Sequence, residues 1–441
     1  MTGAQLRGLL VVGLGTAVVP LDASVNVAFP LIAAHFGLDI PAIRFVVISY
    51  VLVYASLMLA FGRIGDLLGY RRVFVAGCAI STLAFILCSL APNFGSFLAG
   101  RALQGVGAAL VLSVGPALAT DLLGEARRAE ALGWYGGMMA LAATAGPLFA
   151  GVLLEAGGWS SVYLFRIPIA LAGFLLAFRL PDRKPRAAGR FDLAGGALLA
   201  LSIAALVLTF DLLRNLPDGI IGFAAAVAGA MLSLLAFIWR QRVAAAPIIA
   251  LEVFRRSSVA AITIASVLVN LGWFVVPLLL PFYLNRYGGL SLAVGGALLA
   301  IGPVGSIAAS ALAGRLARRI PGRRIAQAGA GLVGLSVLGI AMVVPGAPLT
   351  WLAAAMLVQG VGVGLFQVAA LEILASSLPP EDRGVAGSLG MVSRTLGTLS
   401  GASLLMLIFQ ASPDFLAGFQ HANLLAAALA LVGLVALGLG K

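Results

Sequence analysis

Apolar residues run along this chain in blocks of about twenty, broken by short polar or glycine- and proline-containing stretches. A helix rising ~1.5 Å per residue needs about twenty such residues to cross the ~30 Å hydrocarbon core of a bilayer. The blocks therefore predict transmembrane helices. Their breaks give fourteen spans, near 8–34, 43–62, 72–91, 94–120, 130–154, 159–180, 191–213, 218–239, 258–284, 291–314, 324–344, 349–377, 385–410 and 417–440.

Composition strengthens this reading. The 441 residues are 61% hydrophobic and only 10% charged, where soluble domains carry roughly 25% charge. So little charge cannot coat a water-soluble protein of this length, and the fold class expected is an all-α polytopic membrane protein. A net charge of +12 would suit a nucleic-acid partner, but its placement argues otherwise. With the N-terminus in the cytoplasm and the loops alternating, 22 of the 28 basic residues fall on the inner side. Arg44, Arg214 and Arg286 fall outside, and Arg101, Arg166 and Arg394 fall within spans. That asymmetry follows the positive-inside rule. Both termini are expected in the cytoplasm, the protein in the cell membrane, and no nucleic acid among its partners.

Cys78 and Cys88 share one span, so no disulfide framework is indicated, and two histidines are too few for a His-rich metal site. The N-terminal run behind Arg7 has some signal-peptide character. Asp22 interrupts it and apolar sequence continues to Ala34, so it is read as a retained first span.

The chain also repeats itself. Gln-Gly-Val-Gly occurs at Gln104 and again at Gln359, 255 residues later. GRIGDLLGYRR (Gly62 to Arg72) is echoed by GRLARRIPGRR (Gly314 to Arg324), and Gly146 aligns with Gly401. Both Gly-Arg loops fall on the cytoplasmic side, so the repeats are parallel. Each half holds six helices, at 1–183 and 257–441, and residues 184–256 carry two more helices with their linkers. Two parallel six-helix repeats are the arrangement of major facilitator transporters, with a substrate site between halves that rock to expose it alternately.

Four stretches carry a more specific resemblance, to the fourteen-helix drug:proton antiporters of that superfamily. GRIGDLLGYRR resembles the family's helix 2–3 loop signature through Gly62, Asp66, Gly69, Arg71 and Arg72, although Leu67 and Tyr70 stand where basic residues are usual. RALQGVGAA resembles the helix 4 signature through Arg101, Gln104, Gly105 and Gly107. AATAGPLFAG resembles the antiporter signature of helix 5 through Gly146, Pro147 and Gly151, and LDASVNVAFP the acidic signature of helix 1. RTLGTLSG, with Arg394, is similar to the family's helix 13. The resemblance implies export of small, often lipophilic compounds in exchange for protons.

Ionised side chains at the bilayer centre cost at least ~2.5–3.5 kcal/mol, so those inside spans are functional candidates. Asp22 lies about 21 Å along helix 1 and is the expected proton carrier. Asn26 shares its face and could orient it or meet substrate. Arg101 cannot readily lose its proton; it would pair with an acid, and protonating that acid would free the pair to move. Gln104 and Gln359 are expected at the cavity with Arg166 and Arg394. Arg166 facing the cavity would favour an anionic or zwitterionic substrate. Arg394 is expected to pair with an acid of either half. Glu372, about 10 Å from the inner end of helix 12, is a second candidate proton site. Asp66, Arg71 and Arg72 form a candidate cytoplasmic gate, and Gly146-Pro147 a point of bending and close helix contact.

The expected partners are a small-molecule substrate, protons and membrane lipids, with the protein a monomer and no cofactor. The chain has no P-loop, HExxH or GxSxG, which argues against ATP as energy source and against an intramembrane enzyme. The alternative is a translocator of lipids or of an organic anion without strict proton coupling.

Overall fold

A computed structural model describes residues 1–181, 192–213, 216–244, 251, 254, 256–317, 319–377 and 383–439. At a few helix starts side chains supply the missing end groups. Thr2 and Gln5 form a reciprocal capping box at the start of α1 (Gly3–Ala17), and Asn93 and Ser96 do so for α5 (Phe94–Leu123). Between α3 (Arg44–Leu68) and α4 (Tyr70–Ser89) the chain turns at Gly69, whose φ of 95° suits only a residue without Cβ. That is the physical content of the third glycine in GRIGDLLGYRR.

The first span is two helices. α1 stops at Ala17, a 3₁₀ turn occupies Pro20–Asp22, and α2 continues over Ala23–Phe36. Pro20 has no N–H, so the α-helical ladder cannot pass it unbroken. The remaining helices are α6 (Arg128–Gly157), α7 (Ser161–Leu164), α8 (Arg166–Ala177), α9 (Leu193–Leu212), α10 (Leu216–Val243), α11 (Ser257–Tyr287), α12 (Leu292–Leu316), α13 (Gly322–Ala341), α14 (Leu349–Ser376), α15 (Arg383–Gln410) and α16 (Phe415–Leu439). Among the described residues, twelve helical segments are long and apolar enough to span a membrane. Two expected spans fall short. The sixth is divided at Phe165, ahead of Pro168, and gives the stretch Ser161–Ala177; the described seventh gives Ala194–Leu206. The first of these is short because a proline again removes a ladder donor.

Contacts divide the chain into two units: Met1–Phe191 with Ser291–Ala300, and Asp192–Leu290 with Ile301–Lys441. The core of the first gathers Leu9 and Val12 of α1, Phe74 and Cys78 of α4, and Val111, Val114 and Leu118 of α5. In the second, α11 packs with α15 and α16, and α13 with α14. The pair α9–α10 belongs to the second unit, where α9 packs on α15. Buried Asp192 ties that pair together at one end: it caps α9 at the Gly195 N–H (3.0 Å) and accepts from Arg240 Nε of α10 (2.8 Å). In the expected two-helix insert 184–256, residues 184–191, 214, 215, 245–250, 252, 253 and 255 lie outside the described residues.

The two Gln-Gly-Val-Gly copies do the same packing job in their own units. A Cβ on Gly105 would stand 2.7 Å from the Tyr50 carbonyl of α3, and one on Gly107 would meet Ser81 N (2.9 Å) and Gly77 O (3.1 Å) of α4. In the second copy Gly360 touches the Gly302 carbonyl of α12, and a Cβ on Gly362 would lie 2.8 Å from the Gly329 carbonyl of α13. Small residues dominate because apolar lipid gives helices no hydrophobic reason to associate, which leaves close van der Waals approach.

Candidate functional site

The break in helix 1 creates the site. Without a Pro20 N–H, the turn closes by shorter bonds: Val19 N–H donates to Thr16 O (3.1 Å) and Asp22 N–H to Val19 O (3.0 Å). The Val18 carbonyl, which an unbroken helix would pair with the Asp22 N–H, is free to accept from Arg166 Nη2 at 3.1 Å. The same turn carries the Asp22 carboxylate.

That carboxylate accepts four hydrogen bonds. Oδ1 receives Arg101 Nη1 (2.6 Å), Gln104 Nε2 (2.8 Å) and Arg166 Nη2 (2.9 Å), while among the described residues Oδ2 receives only Arg101 Nη2 (3.0 Å). Arg101 and Gln104 lie one turn apart on α5, so Gln104 Oε1 also accepts from Arg101 Nη1 (2.8 Å). Arg101 Nε donates to the Val46 carbonyl of α3 (3.1 Å), and its guanidinium lies 4.5 Å from the Tyr50 ring centroid. Arg166, at the start of α8, lies 4.3 Å over the Phe85 ring of α4. Four helices, α3, α4, α5 and α8, thus meet the turn around this one ion cluster.

The cluster is buried unevenly. The Arg166 and Arg101 side chains are 0% and 2% exposed, while Asp22 retains 15%. With Asp22 ionised the three groups sum to one positive charge. Among the described residues, Arg166 Nε and Nη1 and the hydroxyls of Ser24, Tyr50 and Tyr163 have no hydrogen-bond partner. A protonated Asp22 would leave two buried guanidinium groups facing a neutral acid. Removing one partner of a buried ion pair costs about 3–5 kcal/mol, so this arrangement belongs to the ionised state.

Gly146 is part of the same construction. A Cβ there would lie 3.1 Å from Leu21 O and 3.3 Å from Ser24 N, so the missing side chain lets α6 rest on the helix 1 break. α6 is assigned as one helix through Pro147. Further along, Glu155 accepts from the Ala293 N–H at 3.0 Å, within the same unit.

The expected residues therefore separate. Asp22, Arg101, Gln104 and Arg166 converge. Arg166 is wholly buried in this cluster and is not a cavity-lining side chain. Asn26 is half-buried one turn along α2 and donates nothing to the carboxylate. Asp66 accepts from the Tyr70 hydroxyl (2.7 Å), and Arg71 Nη1 donates to the Phe178 and Leu180 carbonyls (both 3.3 Å), tying the start of α4 to the end of α8. Arg72 is exposed. In the second unit Gln359 is buried and donates to the Trp273 carbonyl (3.4 Å). Arg394, expected to meet an acid, is exposed and reaches Gln367 Oε1 instead (3.5 Å). Glu372, expected inside the membrane, is exposed and its carboxylate lies against Gly322 at the start of α13. Its long side chain carries the charge to the end of the neighbouring helix, where backbone N–H groups favour an anion.

Sequence reasoning missed Tyr50, Phe85, Tyr163 and the Val18 and Val46 carbonyls. The aromatics sit in apolar runs that read as packing. Pro20 two residues before an intramembrane acid was the available signal for the freed carbonyl.

The profile described as Major Facilitator Superfamily matches residues 12–402 and, separately, 262–440. The riboflavin transporter RibZ of Clostridioides difficile (strain 630) is 27% identical over 410 residues, 92% of this chain and 88% of that protein. The methylenomycin A resistance protein of Bacillus subtilis (strain 168) is 27% identical over 430 residues, 95% of this chain and 90% of that protein. Among solved structures, a POT family transporter in complex with 5-aminolevulinic acid shares the fold with a TM-score of 0.74 at 15% identity, covering 98% of this chain and 95% of its own. Built of apolar spanning helices and matched along nearly its whole length, this chain belongs to the Major Facilitator Superfamily and is a multi-pass membrane transport protein, not an enzyme.

Proposed function

We propose that the protein is a proton-coupled exporter of small amphipathic compounds, working by alternating access across the cell membrane. In this reading fourteen helices cross the bilayer as six, two and six, both termini are cytoplasmic, and the unit of function is a monomer. The observation that carries it is the Asp22 carboxylate held by Arg101, Gln104 and Arg166 at the helix 1 break. Asp22 Oδ2, with a single bond, is the oxygen that takes the proton. Protonation cancels the charge that holds the two guanidinium groups, so the cluster must rearrange, and proton occupancy is tied to conformation. Similarity to a methylenomycin resistance protein supports export of an organic compound.

A second reading, export of an organic anion without strict coupling, draws support from the cluster's surplus positive charge. One assay separates the two. Protein in liposomes carrying a trapped pH dye is scanned against lipophilic cations, anions and zwitterions, wild type beside Asp22→Asn. A substrate-driven pH change that disappears in Asp22→Asn is the expected result. Substrate movement without proton flux in either protein would defeat the coupling and leave the anion reading.

A further inference from the structure

The first unit contains a second feature that the ion cluster does not use. A groove of about 1240 Å³ runs between α1, α6 and α8. Its lining is apolar except for Gln5, Arg7 and Arg179, and it includes no acid. The three polar residues share one end, because α1 begins where antiparallel α8 finishes: Gln5 and Arg7 lie in the first turns of α1, and Arg179 follows the last turn of α8. Both arginines are exposed. From Gly8 the apolar wall continues along α1 to Leu21, about 20 Å at ~1.5 Å per residue. One leaflet of hydrocarbon is about half of a ~30 Å core, so the wall is long enough for acyl chains.

The groove's rim is apolar and open. Leu10, Leu141 and Phe149 are 48%, 68% and 56% exposed, an apolar surface suited to contact with hydrocarbon. Its volume also exceeds the roughly 300–1,000 Å³ usual for drug-sized sites. Apolar walls, a basic end and no acid describe one chemistry: an anionic headgroup on long hydrocarbon chains.

We propose that this groove binds an anionic phospholipid of the cytoplasmic leaflet, its phosphate held by Arg7 and Arg179 and its acyl chains laid along α1 between α6 and α8. The choice of leaflet rests on the orientation proposed above; the binding itself does not depend on proton coupling. The far end of the groove includes Leu21 and Ala145, the chain neighbours of Asp22 and Gly146. An acyl chain there lies beside the backbone contact between α6 and the helix 1 break.

The test uses full-length protein purified in detergent, titrated with phosphatidylglycerol or phosphatidylcholine, with bound lipid counted by native mass spectrometry. No proton gradient is present, so a failure of coupling leaves the readout untouched. Each basic residue near an anionic lipid surface contributes about a fivefold preference. Phosphatidylglycerol should outcompete phosphatidylcholine by about 25-fold in wild type, and Arg7→Gln/Arg179→Gln should abolish that preference. Ala145→Trp, which fills the groove, should lose the bound lipid while keeping both arginines. Because both arginines are exposed, the double variant tests the site without threatening the fold. Equal binding of the two lipids by wild type, or unchanged binding in both variants, would overturn the proposal. Displacement of the lipid by a transported compound, with transport lost in Ala145→Trp, would make the groove a substrate path and overturn it equally.

Discussion

The two Gln-Gly-Val-Gly helices, α5 and α14, occupy equivalent places in their units and make corresponding glycine contacts, yet among the described residues one holds an ion cluster and the other none. Arg101 of α5 is matched by Met356 of α14, 2% exposed and apolar. Leu21, on which Gly146 rests, is matched by Leu271, on which Gly401 rests; each built Cβ would stand 3.1 Å from the leucine carbonyl. The next residue is Asp22 in the first unit and Gly272 in the second. A Cβ on Gly272 would lie 2.6 Å from the Ala426 carbonyl of α16. Where the first unit draws α5 and α8 around a charge, the second closes α11 directly on α16. Helix 1 is also broken at Pro20, whereas α11 is one helix over Ser257–Tyr287. Glycine packing is thus the shared scaffold, and the charge is an addition made on one side only.

This contrast has measurable consequences. Asp22→Asn should have the largest effect, reducing proton-driven transport to background. It should also destabilise the purified protein by about 3–5 kcal/mol, because two buried guanidinium groups lose their counter-charge. Thermal unfolding beside the liposome assay checks both. If the protein keeps full stability, the cluster is not what holds α5 and α8 to helix 1.

Exchanging the character of the two copies comes next. Met356→Arg places an unpaired charge at a buried site and should cost several kcal/mol or prevent accumulation in the membrane. Arg101→Met should cost less in stability, because Arg166 and Gln104 still hold Asp22, but should uncouple transport. Comparable stability losses would mean that Arg101 contributes packing rather than charge.

The glutamine pair gives a smaller difference. Gln104→Leu removes a hydrogen bond to a carboxylate and should cost about 1.5–3 kcal/mol. Gln359→Leu removes a 3.4 Å bond to a backbone carbonyl and should cost about 0.5–1.5 kcal/mol. Gly105→Ala and Gly360→Ala should each destabilise by about 1–3 kcal/mol, because both press a methyl group into backbone, and Gly360→Ala should lose more because its neighbour stands closer. A loss in one unit only would show that the two copies do not share the same packing role.

The smallest effects belong to exposed charges of the second unit. Glu372→Gln and Arg394→Gln should change stability by no more than about 0.5 kcal/mol and leave proton flux intact. Loss of coupling in Glu372→Gln would place proton machinery in the second unit as well.

Twelve of the fourteen expected spans and three members of the ion cluster were legible in the sequence, because an unbroken apolar run and an intramembrane charge are both costly exceptions that sequence displays directly. Asp22 and Arg101 stand out for that reason, and Gln104 through its place in a repeated motif. Arg166 was visible as a charge, but its destination was not: nothing in FRIPI says whether the guanidinium reaches a surface, a cavity or an acid 144 residues earlier. Glu372 misled for the same reason, since axial position does not reveal where a flexible side chain carries its charge.

By itself, then, the sequence determined what is local or cumulative: helices from run length, breaks from Pro20 and Pro168, ends from Thr2, Asn93 and Gly69, and the repeat from glycine spacing. Only the tertiary structure decided which charges meet, which aromatic rings lie under them, and which carbonyls are left to receive them. Those depend on the rotation and approach of helices far apart in the chain. There the missing Cβ atoms of Gly105 and Gly146 let α5 and α6 approach α3 and the helix 1 break closely.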